Sequence, residues 1–172
     1  ISNIYFNTNI FWNSFNLFNS INSMSSINHI EFSLIIPCYN ESENIEMLFN
    51  DISKQQKKIN FEVIIVNNGS EDNSLEMIKN NRYKLNNFKL INIEKNIGIG
   101  YGIKEGIKKA NSKLICYTHA DLQIKIEECA RAFEIFKKSK TNKIFVKSRR
   151  INRSIIEFFF TYLMTIFNSI LF

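Results

Sequence analysis

Between Glu31 and Val146 the chain alternates short, largely apolar runs with longer stretches of helical spacing, and few folds accommodate that pattern. Phe32–Pro37, Phe61–Val66, Lys89–Ile93, Leu114–Thr118 and Lys143–Val146 read as five strands. The first two are apolar apart from Ser33 and Glu62 near their starts and show no strict alternation, the mark of a strand covered on both faces. Between them lie helical segments: Glu41–Lys58, with apolar residues at Ile45, Leu48, Phe49 and Ile52, then Leu75–Asn80, Ile103–Ala110 and Ile124–Lys138. Asn40 with Glu43 three residues later has the spacing of a capping box for the first helix. Strands separated by helices demand crossover connections. The expected fold is therefore α/β, a mostly parallel sheet covered by helices on both faces, three layers in a Rossmann-like arrangement. Ligands bind such sheets at the carboxyl ends of the strands, so the polar residues just after each strand are the candidates for chemistry.

Outside this pattern the chain changes character. Residues 1–23 carry no charge and repeat Asn, Ser, Phe and Ile, without the basic start and unbroken apolar core of a signal peptide. We expect residues 1–30 to be a disordered leader or translated upstream sequence, with Met24 the natural start. The folded domain is expected over 31–153. From 154 to 172 the chain is apolar apart from Glu157, Asn168 and a few hydroxyls, and Arg149, Arg150 and Arg153 precede it. That pattern suits a helix at a membrane interface, with a buried helix and a spanning one as alternatives. The expected location is cytoplasmic, at the membrane surface.

The net charge of +6 favours an anionic partner, but no basic cluster is interleaved with aromatics, so nucleic acid is not expected. Cys38, Cys116 and Cys129 lack CxxC spacing and read as free thiols of a reducing compartment. His29 and His119, the only histidines, lack ligand spacing to a cysteine.

Four strand ends carry polar groups. After the first come Pro37, Cys38, Tyr39, Asn40 and Glu41, where Tyr39 offers a face for stacking on a base or simply covers a helix start. After the second comes Val66-Asn67-Asn68-Gly69-Ser70-Glu71-Asp72, a turn by its Asn-Gly pair. After the third, a glycine-rich turn over Gly98–Gly102 opens a helix, so its N–H groups are placed to face a diphosphate. A dinucleotide fingerprint is a poor match there, because Ile103 stands where a third Gly or Ala belongs. After the fourth comes Thr118-His119-Ala120-Asp121-Leu122-Gln123. His119 and Asp121, two apart, share a side of an extended segment, and with the Gln123 amide oxygen they suit Mn2+ or Mg2+ completed by phosphate and water. For His119 a plain hydrogen-bonding role is equally open.

Together these stretches resemble family 2 glycosyltransferases of the GT-A fold, nearest the dolichyl-phosphate mannose synthase-like branch that acts on polyprenyl phosphates. The pattern P-x-Y-N-E stands at Pro37, Tyr39, Asn40 and Glu41; V-D-D-G-S-x-D appears as Val66 to Asp72 with Asn67 and Asn68 in place of carboxylates. N-x-G-x-x-x-A-x-x-x-G appears at Asn96, Gly98 and Gly106 with Gly102 in place of Ala, and D-A-D-L-Q as His119 to Gln123 with His in place of the first Asp. A later G-x-R-x-x-R is matched by Ser148 to Arg153, with Ser148 in place of Gly. The resemblance covers residues 32–172 and is that of a chain ending before its acceptor-side residues.

The resemblance implies transfer of a sugar, with inversion, from a UDP- or GDP-sugar donor to an acceptor such as a lipid phosphate, assisted by Mn2+ or Mg2+. By the same resemblance Pro37, Tyr39, Glu41, Asn68 and Gly98 contact the nucleotide, Asp121, Gln123 and His119 hold the metal, and Arg150 and Arg153 meet phosphate. No catalytic base is identifiable. The alternatives are a catalytically inactive nucleotide-sugar-binding relative and, more remotely, a dinucleotide-dependent oxidoreductase.

Overall fold

A computed structural model describes residues 29–139, 144–147, 162–164 and 166. Residues 29–139 belong to one compact unit; 144–147 and the later residues belong to another and are taken by themselves.

The first unit is built on a four-stranded parallel sheet in the order β3-β2-β1-β4, from β1 (Ser33–Cys38), β2 (Glu62–Asn68), β3 (Phe88–Ile93) and β4 (Ile115–Tyr117). The helices are α1 (Ser42–Gln56), α2 (Ser74–Asn81), α3 (Ile99–Lys109) and α4 (Ile126–Lys138), with a 3-10 turn over Arg82–Lys84. Every residue of β1 and β2 is buried, whereas β3 and β4 are partly exposed edges. This matches their sequences: the two most apolar runs take the centre, where both faces are covered.

The period-two alternation of the strands sorts the core. Leu34, Ile36 and Cys38 of β1, with Val63 and Ile65 of β2, face α1, α2 and α4 in the larger cluster. Ile35, Ile64 and Val66 form the smaller cluster on the opposite face. That face belongs to α3, where a Cβ on Gly106 would strike Ile35 and one on Gly102 would sit over Pro37, Val66 and Asn68. Phe32 stacks on Phe61 at 4.7 Å and leans on Phe133 of α4 at 5.2 Å, closing the amino-terminal end of the larger cluster. On the α3 face Glu62, with a side chain only 1% exposed, pairs with Lys89 at 2.9 Å and accepts from the Ser33 hydroxyl and the Asn111 N–H.

Three expectations change. The Gly98–Gly102 segment is not a turn: α3 begins at Ile99, and Gly98 at φ 102° is its cap residue. Glycine there serves a positive φ and, at Gly102, a close approach of helix to sheet. The Asn40–Glu43 capping box does not form. The cap residue of α1 is Glu41, which makes no side-chain cap bond, because the first N–H groups are taken by another loop. Of the expected fifth strand Lys143–Val146, Lys143 lies outside the described residues and Val146 makes only a single-residue bridge. Among the described residues the sheet thus has four strands. The leader up to residue 28, Ser148, Arg149, Arg150 and Arg153, and most of the apolar segment 154–172 also lie outside the description. Of that segment, Tyr162, Leu163, Met164 and Ile166 are helical and exposed. Among the described residues no helix is long and apolar enough to cross a membrane.

Candidate functional site

The strand order reverses at β1: the chain runs outward through β2 and β3, then returns to place β4 on the other side. In open parallel sheets the crevice beyond such a reversal is the ligand site. Here it is flanked by the carboxyl ends of β1, β2 and β4, so the loops after these strands share one rim.

Two of the loops are joined by a reciprocal set of bonds. Asn40 sits at φ 54°, a left-handed conformation that Asn tolerates better than most residues. Its N–H donates to Ser70 Oγ at 3.1 Å, the Glu41 N–H to Ser74 Oγ at 2.8 Å, and the Ser42 N–H to Asp72 Oδ2 at 3.1 Å. In return Asn40 Oδ1 accepts from the Glu71 N–H at 2.8 Å and the Asp72 N–H at 3.4 Å. Asp72 Oδ1 also accepts from the Ser74 N–H at 2.9 Å, an Asx-type turn that leads the chain into α2. Burial alone would raise the Asp72 carboxyl, but the bonds from Ser74 and Ser42 hold it at about 2. The N–H groups of Asn40, Glu41 and Ser42, at the entry to α1, are thus all taken by side chains of the other loop. Tyr39, beside this junction, is 40% exposed, and Glu41 Oε2 is held by Asn44 Nδ2 at 2.6 Å. Burial, and then the nearby Glu41 charge, push the Cys38 thiol up to about 12, so it stays protonated.

The two asparagines in place of carboxylates are deeply buried, 2% exposed for Asn67 and 3% for Asn68. Asn67 Nδ2 donates to Asn92 Oδ1 at 2.7 Å, its register partner on β3, and Asn68 Nδ2 donates to Asn96 Oδ1 at 3.0 Å. Asn96 Oδ1 also receives the Gly98 N–H at 2.9 Å, tying the start of α3 to the end of β2. Gly69 permits this closure: at φ 70° it lies so near that a Cβ would fall 2.4 Å from the Asn96 nitrogen. The carbonyl oxygens of Asn67 and Asn68 are buried without a hydrogen-bond partner. A buried acceptor left unpaired costs about 1–3 kcal/mol, which a ligand N–H can recover.

On the far side of β1, the Thr118 N–H continues the ladder to Ile35 O at 3.1 Å. Thr118 and Ala120 are buried, each 2% exposed, while His119 is exposed and Asp121 partly so, so His119 and Asp121 lie on the outer side of the segment. Asp121 Oδ1 accepts from the Gln123 N–H at 3.1 Å, across Leu122 at φ 59°. A branched residue in this region is strained, and such strain collects at functional loops. Behind the loop, the hydrogen bond with Cys129, and then burial, raise the Cys116 thiol.

The structure therefore knits Pro37, Asn40, Asn68, Asn96, Gly98 and Gly102 into one assembly around β1 and β2, and carries Asp121 and Gln123 to the same rim by strand order alone. Asp72, Ser74 and Asn92 work harder than their sequence positions suggest. Asp72-Asn73-Ser74, immediately before a helix, does carry the signal of a capping residue.

Among the described residues no three His, Cys, Asp or Glu side chains converge as a metal cage. The donor chemistry that is present, one carboxylate with an amide and an imidazole close in sequence, fits a hard divalent cation completed by phosphate and water. It does not fit a closed structural metal.

An open parallel sheet with a polar rim at its reversal point is the arrangement in which α/β proteins bind their ligands. The sequence pattern of the family described as Glycosyl transferase family 2 matches residues 33–171, and the chain belongs to that family, with a fold of the GT-A type. It is 30% identical over 103 residues to the dolichyl-phosphate beta-glucosyltransferase ALG5C of Trichomonas vaginalis, covering 56% of this chain and 31% of that protein. It is 31% identical over 110 residues to the dolichol-phosphate mannosyltransferase of Pyrococcus furiosus, covering 63% and 30%. The crystal structure of S. aureus TarS 1-349 in complex with UDP-GlcNAc is similar with a TM-score of 0.51 and 26% identity, over 72% of this chain and 37% of that one. The chain spans about a third of the length of the curated relatives it matches.

Proposed function

We propose that this chain is the donor-binding part of a glycosyltransferase that moves a sugar, with inversion, from a UDP- or GDP-sugar to an acceptor, a polyprenyl phosphate by preference. The observation that carries the reading is the pairing of a buried, unpartnered Asn68 carbonyl on one side of β1 with the Asp121 loop on the other. A nucleoside diphosphate has a base N–H to give at one end and a cation-bridged pyrophosphate at the other.

In this reading Tyr39 stacks on the base, and Pro37 and Glu41 set the wall behind it. Asn68 Oδ1 accepts from a base N–H, as either an imide or a lactam N–H requires. Gly98 lets the backbone approach the nucleotide closely. Asp121, with Gln123 and His119, would hold Mn2+ or Mg2+, which when bound offsets the negative charge that develops on the departing nucleotide. Arg150 and Arg153, outside the described residues, are assigned to phosphate, for which a guanidinium fork is suited. A cytoplasmic place at a membrane surface follows from a lipid acceptor, with the 154–172 segment as the contact.

The alternative of a catalytically inactive nucleotide-sugar-binding relative rests on one observation, the loss of carboxylates at Asn67, Asn68 and His119. The oxidoreductase reading rests on the glycines at the start of α3, where Ile103 stands in place of the third Gly or Ala of a dinucleotide fingerprint.

The test is calorimetric binding of UDP and GDP with and without Mn2+. One of them should bind, more tightly with the metal, and Asp121→Ala should remove the metal-dependent part, roughly tenfold or more. Equal affinity in the variant refutes the role of Asp121; no binding of either nucleotide by the native chain refutes the proposal. Turnover by the whole gene product separates an enzyme from an inactive relative.

A further inference from the structure

We propose that Asn40 and Asp72 are positioning residues for the base-binding side of the site, acting as a two-way latch that fixes Tyr39 and Glu41 against the end of β2. The inference rests on the nucleotide-binding reading above for its consequence, though not for its geometry. Three consecutive N–H groups, of Asn40, Glu41 and Ser42, are each taken by a side chain about thirty residues further along, from Ser70, Ser74 and Asp72 respectively. The Asn40 side chain returns two bonds to the N–H groups of Glu71 and Asp72. Neither loop caps its own helix start and stops there; each completes the other.

The reciprocity has a chemical consequence. Tyr39 directly precedes the latched segment and Glu41 lies within it, so these two proposed nucleotide contacts inherit their backbone position from Asn40 and Asp72. Neither latch residue need touch the nucleotide. The base half of the site would then be ordered before the ligand arrives, and affinity would not carry the cost of ordering that loop. Asn40 suits the task because it tolerates a positive φ while its side chain accepts two N–H donors. Asp72 suits it because one carboxylate serves two N–H groups at once, Ser42 through Oδ2 and Ser74 through Oδ1.

The latch bonds run between residues 40–42 and 70–74, at the base-binding side of the proposed site, and that locality supplies the test. The variants are Asp72→Ala, Asp72→Asn, which keeps one acceptor oxygen, and Asn40→Gly, which keeps the positive φ without the side chain. Amide hydrogen exchange of the 172-residue chain is read first, without ligand. The latch predicts faster exchange at residues 40–42 in each variant, with the amides of β1 and β2 unchanged. Calorimetry is read second, against the nucleoside diphosphate that the native chain binds and against Mn2+-pyrophosphate. Nucleotide affinity should fall on the order of tenfold in Asp72→Ala and less in Asp72→Asn. Affinity for Mn2+-pyrophosphate should stay unchanged, which general destabilisation of the fold would not allow. Unaltered exchange at 40–42 in the folded variants overturns the latch, whatever the ligand data show. Faster exchange with unaltered nucleotide affinity overturns the positioning role. Failure of the native chain to bind any nucleotide overturns the functional reading, while the exchange data still judge the latch.

Discussion

Three glycines of α3 permit a single substitution to be read against three environments. At Gly106 a Cβ would lie 2.4 Å from Ile35 Cγ2 and 3.3 Å from its Cγ1. The nearer distance is about 1 Å short of the ~3.5 Å at which two carbons are comfortable. Ile35 cannot yield, since it is fully buried on the central strand and branched at Cβ. Gly106→Ala therefore adds overpacking of about 1–3 kcal/mol, against about 1 kcal/mol gained from the better helix former. At Gly102 the nearest atom would be Pro37 Cβ at 3.4 Å, with Val66 Cγ1 at 3.7 Å, contacts that small shifts absorb. At Gly100 nothing lies within 4 Å. Gly102→Ala and Gly100→Ala should each stabilise, by about 0.5–1 kcal/mol. Thermal melts followed by circular dichroism should rank Gly102→Ala and Gly100→Ala above the native chain and Gly106→Ala below it. A change of about 1 kcal/mol moves the midpoint by about 2–4 °C. The loss at Gly106 should shrink in an Ile35→Ala background, because the two sites share one volume. A Gly106→Ala chain that melts higher than the native one would refute the packing argument, and with it the claim that α3 lies on the sheet through its glycines.

Glu62→Ala leaves the Ser33 hydroxyl, the Asn111 N–H and Lys89 without their acceptor, and should cost about 3 kcal/mol in urea unfolding; a loss under about 1 kcal/mol would show the network to be incidental. Asp72 is held at about 2 against an ordinary 3.8, so its stabilisation is complete above 3.8 and lost as pH falls from 3.8 towards 2. The stability difference between the native chain and Asp72→Asn should therefore vanish over that acid window and be constant from pH 5 to 7; a difference that persists at pH 2 would place its origin elsewhere.

All four strands of the sheet were legible to within a residue or two, whereas what hydrogen bonding decides at their ends was not. β1 and β2 follow their apolar runs to within a residue or two at each start. β2, however, continues to Asn68, because the ladder with β3 pairs Asn67 with Asn92 and Asn68 with Ile93. A polar residue at the end of an apolar run reads as loop until its partner strand is known. The glycines of α3 misled for a related reason. Glycine marks turns in local statistics, but at 102 and 106 it marks where a helix touches a sheet, a distance no local window contains. The capping box failed on range as well. Asn40 has the right neighbour three residues on, yet the N–H groups it would serve are claimed from 30 to 33 residues away.

The same division runs through the site. The residues that make it a site by chemical type, Tyr39, Asn68 and Asp121, announce themselves because a stacking face, an amide and a carboxylate follow apolar runs at the carboxyl edge. Residues that give it shape, such as Ser74 at the start of α2 and Asn92 in β3, do not, because their side chains find their partners only across the fold. Substituting Asn for both carboxylates after β2 sharpens the point. A carboxylate there could accept but not donate, whereas each amide donates to a partner, Asn92 or Asn96, and keeps one oxygen for a ligand. The loop has thus exchanged charge for an internal brace. The carboxylates left around the end of β1 include Glu41 beside it, Asp72 in the latch and Asp121 after β4, and in the proposed reading Asp121 is the one that meets a cation-bridged phosphate.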